Sequence, residues 1–322
     1  MIEKIKSLSK DTLIYGINTI AGRFLNFFLV PFYTNVFLPA EFGVIAVLYS
    51  YIALLNVVFS AGLESGYMKF ASTKVIGTEK QNFSNPFLII LFNSFFLSIL
   101  IFSFSSHLTG IFQIDENYSD LIKYSAAILF FDALVLIPFA YLRLNNIPKK
   151  FTGIKITNIV INVLLNIILI KYYHFGIEAV FISNLVASII TFIMLVPELL
   201  RRIDFSFNRE LVSELMRFSL PYIPAAIAAS IVQVINRPIL KYLTDDTTVG
   251  IYQANYRLGI FMMLVVSMFE FAWRPFFLNN AKDPDAKKIF SKVLTIFVTG
   301  ASFIFLIITV FINDVVNISI PG

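Results

Sequence analysis

The sequence predicts an all-α fold: a polytopic membrane helix bundle of about nine transmembrane helices, built as two lobes of which the second is incomplete. Three observations carry that prediction. Over 322 residues the chain is 58% hydrophobic and only 14% charged, with a mean hydropathy of +0.81, against about 25% charged residues in an ordinary soluble domain. A soluble chain of this length needs more polar surface than these residues supply. Apolar stretches of bilayer-crossing length, roughly 20 residues, recur from end to end. Lys and Arg gather in alternate connections between them.

Taken in order, the stretches are 12–37, 42–62, 86–105, 119–142, 151–171, 176–197, 217–243, 249–272 and 289–312. Hydrocarbon offers a peptide group no hydrogen-bond partner, so each is predicted as a helix. Residues 1–10 are basic, but the apolar run behind them continues past Phe37, too long for a cleavable signal. With the N-terminus in the cytoplasm, the inner side holds 19 of the 25 Lys and Arg, Lys155 at the start of the fifth span among them. Outside stand only Lys123, Lys171 and Lys241, while Arg23, Arg237 and Arg257 fall within spans. This bias orients the bundle with its basic connections inward. The net charge of +5 and pI near 9.2 therefore report topology, and no nucleic-acid partner is expected.

Composition also narrows the chemistry. Without Cys there are no disulfides, thiolate metal sites or cysteine nucleophiles. The two histidines, His107 and His174, lie far apart near predicted helix ends. No phosphate-binding loop, dinucleotide fingerprint or paired-His motif occurs, so neither a cofactor nor a metal is expected.

An internal repeat organises the chain. Residues 11–70 laid over 218–277, an offset of 207, align Leu13 with Leu220, Tyr15 with Tyr222, Ile20 with Ile227, Pro31 with Pro238, Gly43 with Gly250, Tyr49 with Tyr256 and Ser60 with Ser267. The Pro and Gly pairs weigh most, because they set a kink and a turn at one depth in both copies. The copies are offset by six helices, so the repeats point the same way, as in transporters whose halves are related by an axis along the membrane normal. The expected domains are a six-helix lobe at 1–200, a cytoplasmic amphipathic linker at 201–216, and the first three helices of a second lobe at 217–322. Two segments, 63–82 and 197–217, are expected to lie along the inner membrane surface.

Polar residues recur at helical spacing on four spans. The first carries Thr12, Tyr15, Thr19, Arg23 and Asn26; the seventh carries Tyr222, Ser230, Gln233 and Arg237. The second carries Tyr49, Asn56, Ser60 and Glu64, and the eighth Tyr256, Ser267 and Glu270. The plainer reading of such stripes is helix–helix hydrogen bonding. Charge argues for more. Arg23, Arg237 and Arg257 each cost at least ~2.5–3.5 kcal/mol if unpaired at the bilayer centre. Asp132 is the single acid at similar depth, and an Arg23–Asp132 ion pair is the structural alternative. One Asp does not neutralise three Arg, which points to a water-filled cationic cavity and an anionic ligand. Asn158, Asn162 and Asn166, a row on the fifth span, read as packing.

Two stretches carry a resemblance. "LSKDTLIYGINTIAGRFLNFFLVPFYTNVFLPAEFGVIAV" near the start is similar to the opening of bacterial polysaccharide-biosynthesis and O-antigen flippases. "ELMRFSLPYIPAAIAASIVQVINRPILKYLTDDTTVGIYQANYRLG" with "FEFAWRPFF" resembles the start of their second lobe. These flippases form the polysaccharide transporter branch of the multidrug/oligosaccharidyl-lipid/polysaccharide exporter superfamily. The resemblance implies a two-lobe exporter fold, here lacking roughly a quarter of its bundle, in a bacterial cytoplasmic membrane. It implies flipping of an undecaprenyl-diphosphate-linked oligosaccharide from inner to outer leaflet by alternating access. Membrane lipids, a polysaccharide polymerase and glycosyltransferases are the other partners it implies. By position Arg23, Arg237 and Arg257, with Asn26, Gln233 and Tyr256 beside them in the stripes, are the substrate-binding candidates. Relatives often carry an acid just before Arg237; this chain has Asn236, which argues against acid-dependent ion coupling through that helix. A drug exporter of the same fold, a membrane glycosyltransferase or acyltransferase, and an inactive truncated product are the rival readings.

Overall fold

The computed structural model describes residues 29, 31–259, 262, 263, 265, 266, 269, 273 and 285–311. Among these every regular element is helical: α1 Pro39–Ser60, α2 Leu63–Thr73, α3 Glu79–Ser103, α4 Ser105–Phe112, α5 Ser119–Leu134, α6 Leu136–Leu144, α7 Pro148–Lys171, α8 Glu178–Arg202, α9 Arg209–Ser219, α10 Tyr222–Val234, α11 Asn236–Leu243, α12 Asp246–Leu258 and α13 Ala286–Val310. Among the described residues seven helical runs are long and apolar enough to cross a bilayer. They fall one for one on the predicted second to seventh and ninth spans. The eighth begins as α12. The first span, with Arg23 and Asn26, lies outside the described residues apart from its end.

Local chemistry explains where helices start and break. Pro39 and Pro148 occupy first-turn positions, where a missing N–H costs nothing. Thr78 caps α3: its hydroxyl accepts from the Gln81 amide at 3.2 Å while Gln81 Oε1 accepts from the Thr78 amide at 3.0 Å. The fourth predicted span is two helices, α5 and α6, joined at Val135. Pro138 explains the break, since it has no N–H for the Leu134 carbonyl four residues back. Pro238 stands in the same relation to Val234 at the α10–α11 break.

The described residues group into two compact units. In the larger, Phe37–Gly250, the run Glu116–Leu144 is central, with 72% of its apolar window buried against 17% for Pro148–Lys171 and 22% for Glu79–Ser103. Leu121, Ile122, Ala126, Ile128 and Leu129 form the buried side of α5, and α1, α3 and α8 pack around it. Phe92, Phe95, Phe96, Ile99 and Phe102 stand exposed along α3. In water such a face would be a liability, whereas lipid tails solvate it. The amphipathic helix α9 buries Leu211 and Leu215, but against protein. It packs on α2 and α3, with Phe218 edge-on to Phe70 at 6.2 Å and Lys69 4.0 Å over the Phe218 ring. Its apolar stripe, expected to face the membrane surface, is covered by α2.

Gly43 and Gly250, aligned in the predicted repeat, meet face to face where α1 crosses α12. A Cβ on Gly43 would collide with the Asp246 carbonyl, and one on Gly250 with the Pro39 carbonyl. Val47, one turn beyond Gly43, and Val249, next to Gly250, are both fully buried and close the contact, backed by Leu240 and Tyr51. In the smaller unit, α13 carries Phe297 and Phe290; Phe297 stacks on Phe269 at 3.7 Å, and Trp273 meets Phe290 edge-on at 5.3 Å.

Candidate functional site

A cavity of about 360 Å³ opens among α1, α2, α5, α6, α7 and α8 of the larger unit. Helical spacing builds each wall. On α5–α6, Asp132, Leu136, Phe139 and Arg143 share one face; on α7, Lys155 and Asn158 do; on α8, Asn184, Ser188 and Thr191 do. Asn56 and Glu64 close the side formed by α1 and α2.

Hydrogen bonds tie these walls together. The Ser188 hydroxyl donates to Asp132 Oδ1 at 2.7 Å. Asn158 Nδ2 donates to Thr191 Oγ1 at 2.8 Å, and that hydroxyl donates to the Ala187 carbonyl at 2.8 Å. Asn184 Nδ2 donates to the Tyr49 hydroxyl at 3.0 Å. Arg143 is ion-paired to Glu64. Lys155 holds its ammonium 4.3 Å over the Phe139 ring and is the described cation that acts on Asp132. Two bases and two acids therefore line this cavity, alongside five neutral polar side chains. A concave site with amide and hydroxyl donors, an ammonium and a guanidinium at helix depth suits a hydrogen-bonding, charged ligand. Among the described residues no group of three or more His, Asp or Glu stands close enough to hold a metal ion.

Of the residues singled out from sequence, Asn56, Glu64, Asp132 and Asn158 lie in this cavity. Arg237 is buried on α11, where Nη1 donates to the Gln233 carbonyl at 2.7 Å and to Asn236 Oδ1 at 3.0 Å; neither it nor Gln233 lines the cavity. Gln233 itself is exposed. In the smaller unit Tyr256 is half exposed with its ring 5.7 Å from that of Tyr252, and Arg257 is partly buried in the last turn of α12. Arg23 and Asn26 lie outside the described residues, and the Arg23–Asp132 pair with them. The Asn row divides: Asn158 joins the cavity, while the fully buried Asn166 bonds Asn162 Oδ1 at 2.9 Å.

Sequence reading missed Lys155, counted only among the inner-side charges, and the stripe Asn184–Ser188–Thr191. The signal was present in both cases. Lys155 stands seven residues inside a helix that starts at Pro148, and the α8 residues recur at four and three.

Comparison with known proteins places this geometry in context. A family model described as polysaccharide biosynthesis protein matches residues 36–316. No curated protein matches by sequence. Among solved structures, the MATE multidrug transporter DinF-BH aligns over 97% of this chain and 76% of its own, with a TM-score of 0.70 and 16% identity. The Vibrio cholerae MATE transporter VcmN in the bent form aligns over 97% and 75%, at a TM-score of 0.61 and 15% identity. An inward-facing multidrug resistance MATE family transporter of the MOP superfamily aligns over 76% and 60%, at 0.59 and 15%. The chain thus has the fold of these multi-pass membrane transporters and spans 60 to 76% of their length.

Proposed function

The chain belongs to the polysaccharide biosynthesis protein family, and from that premise we propose that it moves an undecaprenyl-diphosphate-linked oligosaccharide from the inner to the outer leaflet of a bacterial cytoplasmic membrane. The observation that carries the proposal is charge at helix depth. Arg23, Arg237 and Arg257 fall within spans, and Lys155 joins Asp132 in a polar cavity. An excess of cations over acid in hydrocarbon calls for an anionic ligand, and a lipid diphosphate supplies about two negative charges.

The energetics favour this cargo. An inside-negative membrane potential contributes ~2.3 kcal/mol per charge per 100 mV, and outward movement of an anion runs down that gradient. A diphosphate would gain roughly twice that amount without any coupled ion. Alternating access would present the polar walls to one leaflet at a time. The solved neighbours are described as multidrug transporters, which favours export of cationic drugs as the second reading, with Asp132 as the acid such a cargo would seek.

Sugar-chain export by a strain dependent on the full protein tests the proposal. Arg23→Ala and Lys155→Gln are expected to abolish export while the protein still inserts. Arg23→Lys should restore part of it, because a point charge replaces a bidentate fork. Normal export by both neutral variants would remove the cationic-cavity mechanism. Resistance to cationic drugs lost on Asp132→Asn, with sugar export intact, would install the drug exporter in its place.

A further inference from the structure

A second cavity, of about 540 Å³, lies at the end of the larger unit that carries the basic connections. It shares no lining residue with the Asp132 cavity. Helix α6 divides the two: Phe139 and Arg143 face one side, Tyr141 and Asn145 the other, as a 3.6-residue period requires.

Its wall is strongly cationic. Lys74 ends α2, Lys80 opens α3, and Arg201 and Arg202 end α8; Glu79 is the one acid in the lining. Nearby acids are already engaged. Glu198 takes Lys150 at 2.5 Å and Arg202 at 3.0 Å, and Asp204 accepts from the Ser206 hydroxyl at 2.7 Å and its amide at 3.0 Å. Those two bonds from Ser206, aided by Lys80, hold the Asp204 carboxyl below its usual range. Among the described residues Lys74, Lys80 and Arg201 make no ion pair.

The wall also holds polar atoms without partners. Arg202 stacks its guanidinium 3.9 Å over the Tyr141 ring and donates Nη2 to that phenol, yet its Nε, buried, has no acceptor. Asn82, 3% exposed, gives both amide hydrogens to the Ile76 and Thr78 carbonyls at 2.7 and 3.0 Å, which leaves Oδ1 without a donor. An unmet buried donor or acceptor costs about 1–3 kcal/mol. The mouth thus offers several cations, and the wall behind it one spare N–H and one spare oxygen.

From this juxtaposition we propose that the pocket binds a hydroxyl-bearing phosphate ester, the phosphoglycerol headgroup of an anionic lipid. Lys74, Lys80 and Arg201 neutralise the phosphate at the bilayer surface, where basic pockets between helix ends meet anionic headgroups. Arg202 adds a fixed planar donor, and Asn82 supplies the acceptor that a glycerol hydroxyl needs. The assignment concerns a site apart from the transport cavity and stands whether or not the cargo reading holds.

The test uses the full chain in nanodiscs of phosphatidylcholine, with or without phosphatidylglycerol, and reads retained lipid by native mass spectrometry. Wild type is expected to keep phosphatidylglycerol at a saturable stoichiometry. Lys80→Ala/Arg201→Ala, both exposed positions, should weaken that binding about fivefold for each cation removed, and Lys171→Ala at the opposite end should not. A separate arm adds glycerol 1-phosphate to protein in phosphatidylcholine alone. Saturable binding there, lost in the same double variant, upholds the phosphate-ester pocket and assigns it to a soluble ligand. Phosphatidylglycerol retention that is equal in wild type and the double variant, with no glycerol 1-phosphate binding, overturns the proposal.

Discussion

Two glycines 207 positions apart set the close approach of α1 and α12. At Gly43 and Gly250 the obstacle to a side chain is backbone carbonyl, the Asp246 and Pro39 oxygens, which does not rotate aside as a side chain would. Gly43→Ala and Gly250→Ala are each expected to destabilise by about 1–3 kcal/mol, the usual cost of overpacking. Gly153→Ala is the internal control. Its Cβ would meet open space, and Ala is the better helix former by ~0.5–1 kcal/mol. Thermal unfolding of detergent-purified protein should show lower midpoints for the first two and an unchanged or higher one for the third. Equal midpoints for all three would mean α1 and α12 are not in contact. The cavity residues obey a different logic. Thr191 both accepts from Asn158 and donates to Ala187, so it is a joint in the wall, whereas Lys155 over Phe139 remains a charge available to a ligand.

Among elements, composition decided where helices lie, and two prolines decided where two of them break, although Pro86 and Pro197 sit inside unbroken helices. Pro138 and Pro238 each interrupt a helix four residues upstream because the missing N–H orphans that carbonyl. Runs of apolar residues made the spans legible. Alternation of charge between their ends made the orientation legible as an expectation, which single-cysteine labelling tests. The chain has no cysteine of its own, so introduced ones report cleanly. Ser72→Cys and Asn117→Cys lie at exposed positions on opposite ends of the bundle. Asn117→Cys alone should react with an impermeant thiol reagent in intact cells, and Ser72→Cys only after permeabilisation; the reverse pattern would invert the topology. Ser84, near the inner end of α3, is fully buried and bonded to the Arg202 carbonyl and the Asp204 amide, which makes it a poor reporter.

At the scale of the whole molecule, the crossing of α1 and α12 bears on transport. Both helices start at the outer side in the predicted topology, so Val47 and Val249, fully buried in one cluster, would seal that side. If access alternates, this contact must open in each cycle. Val47→Cys/Val249→Cys is therefore expected to stop export under oxidising conditions and recover it with reductant, read as sugar chains at the cell surface. Export that continues with the crosslink formed would show that the contact is static. The sequence by itself determined the membrane class and the positions of the apolar helices from the second span to the seventh. These follow from solvent chemistry: an apolar run of sufficient length has one stable form in lipid. It did not determine which charges meet. Asp132 was matched with Arg23 on depth alone, whereas the described structure sets it against Lys155 and Ser188. Lys155 counted with the inner-side charges because it lies near a helix end, and only the packing of α7 beside α6 and α8 turns that end toward a cavity. Depth along a helix is a property of the chain, but the direction a side chain faces is settled by which neighbour covers it, and that is tertiary.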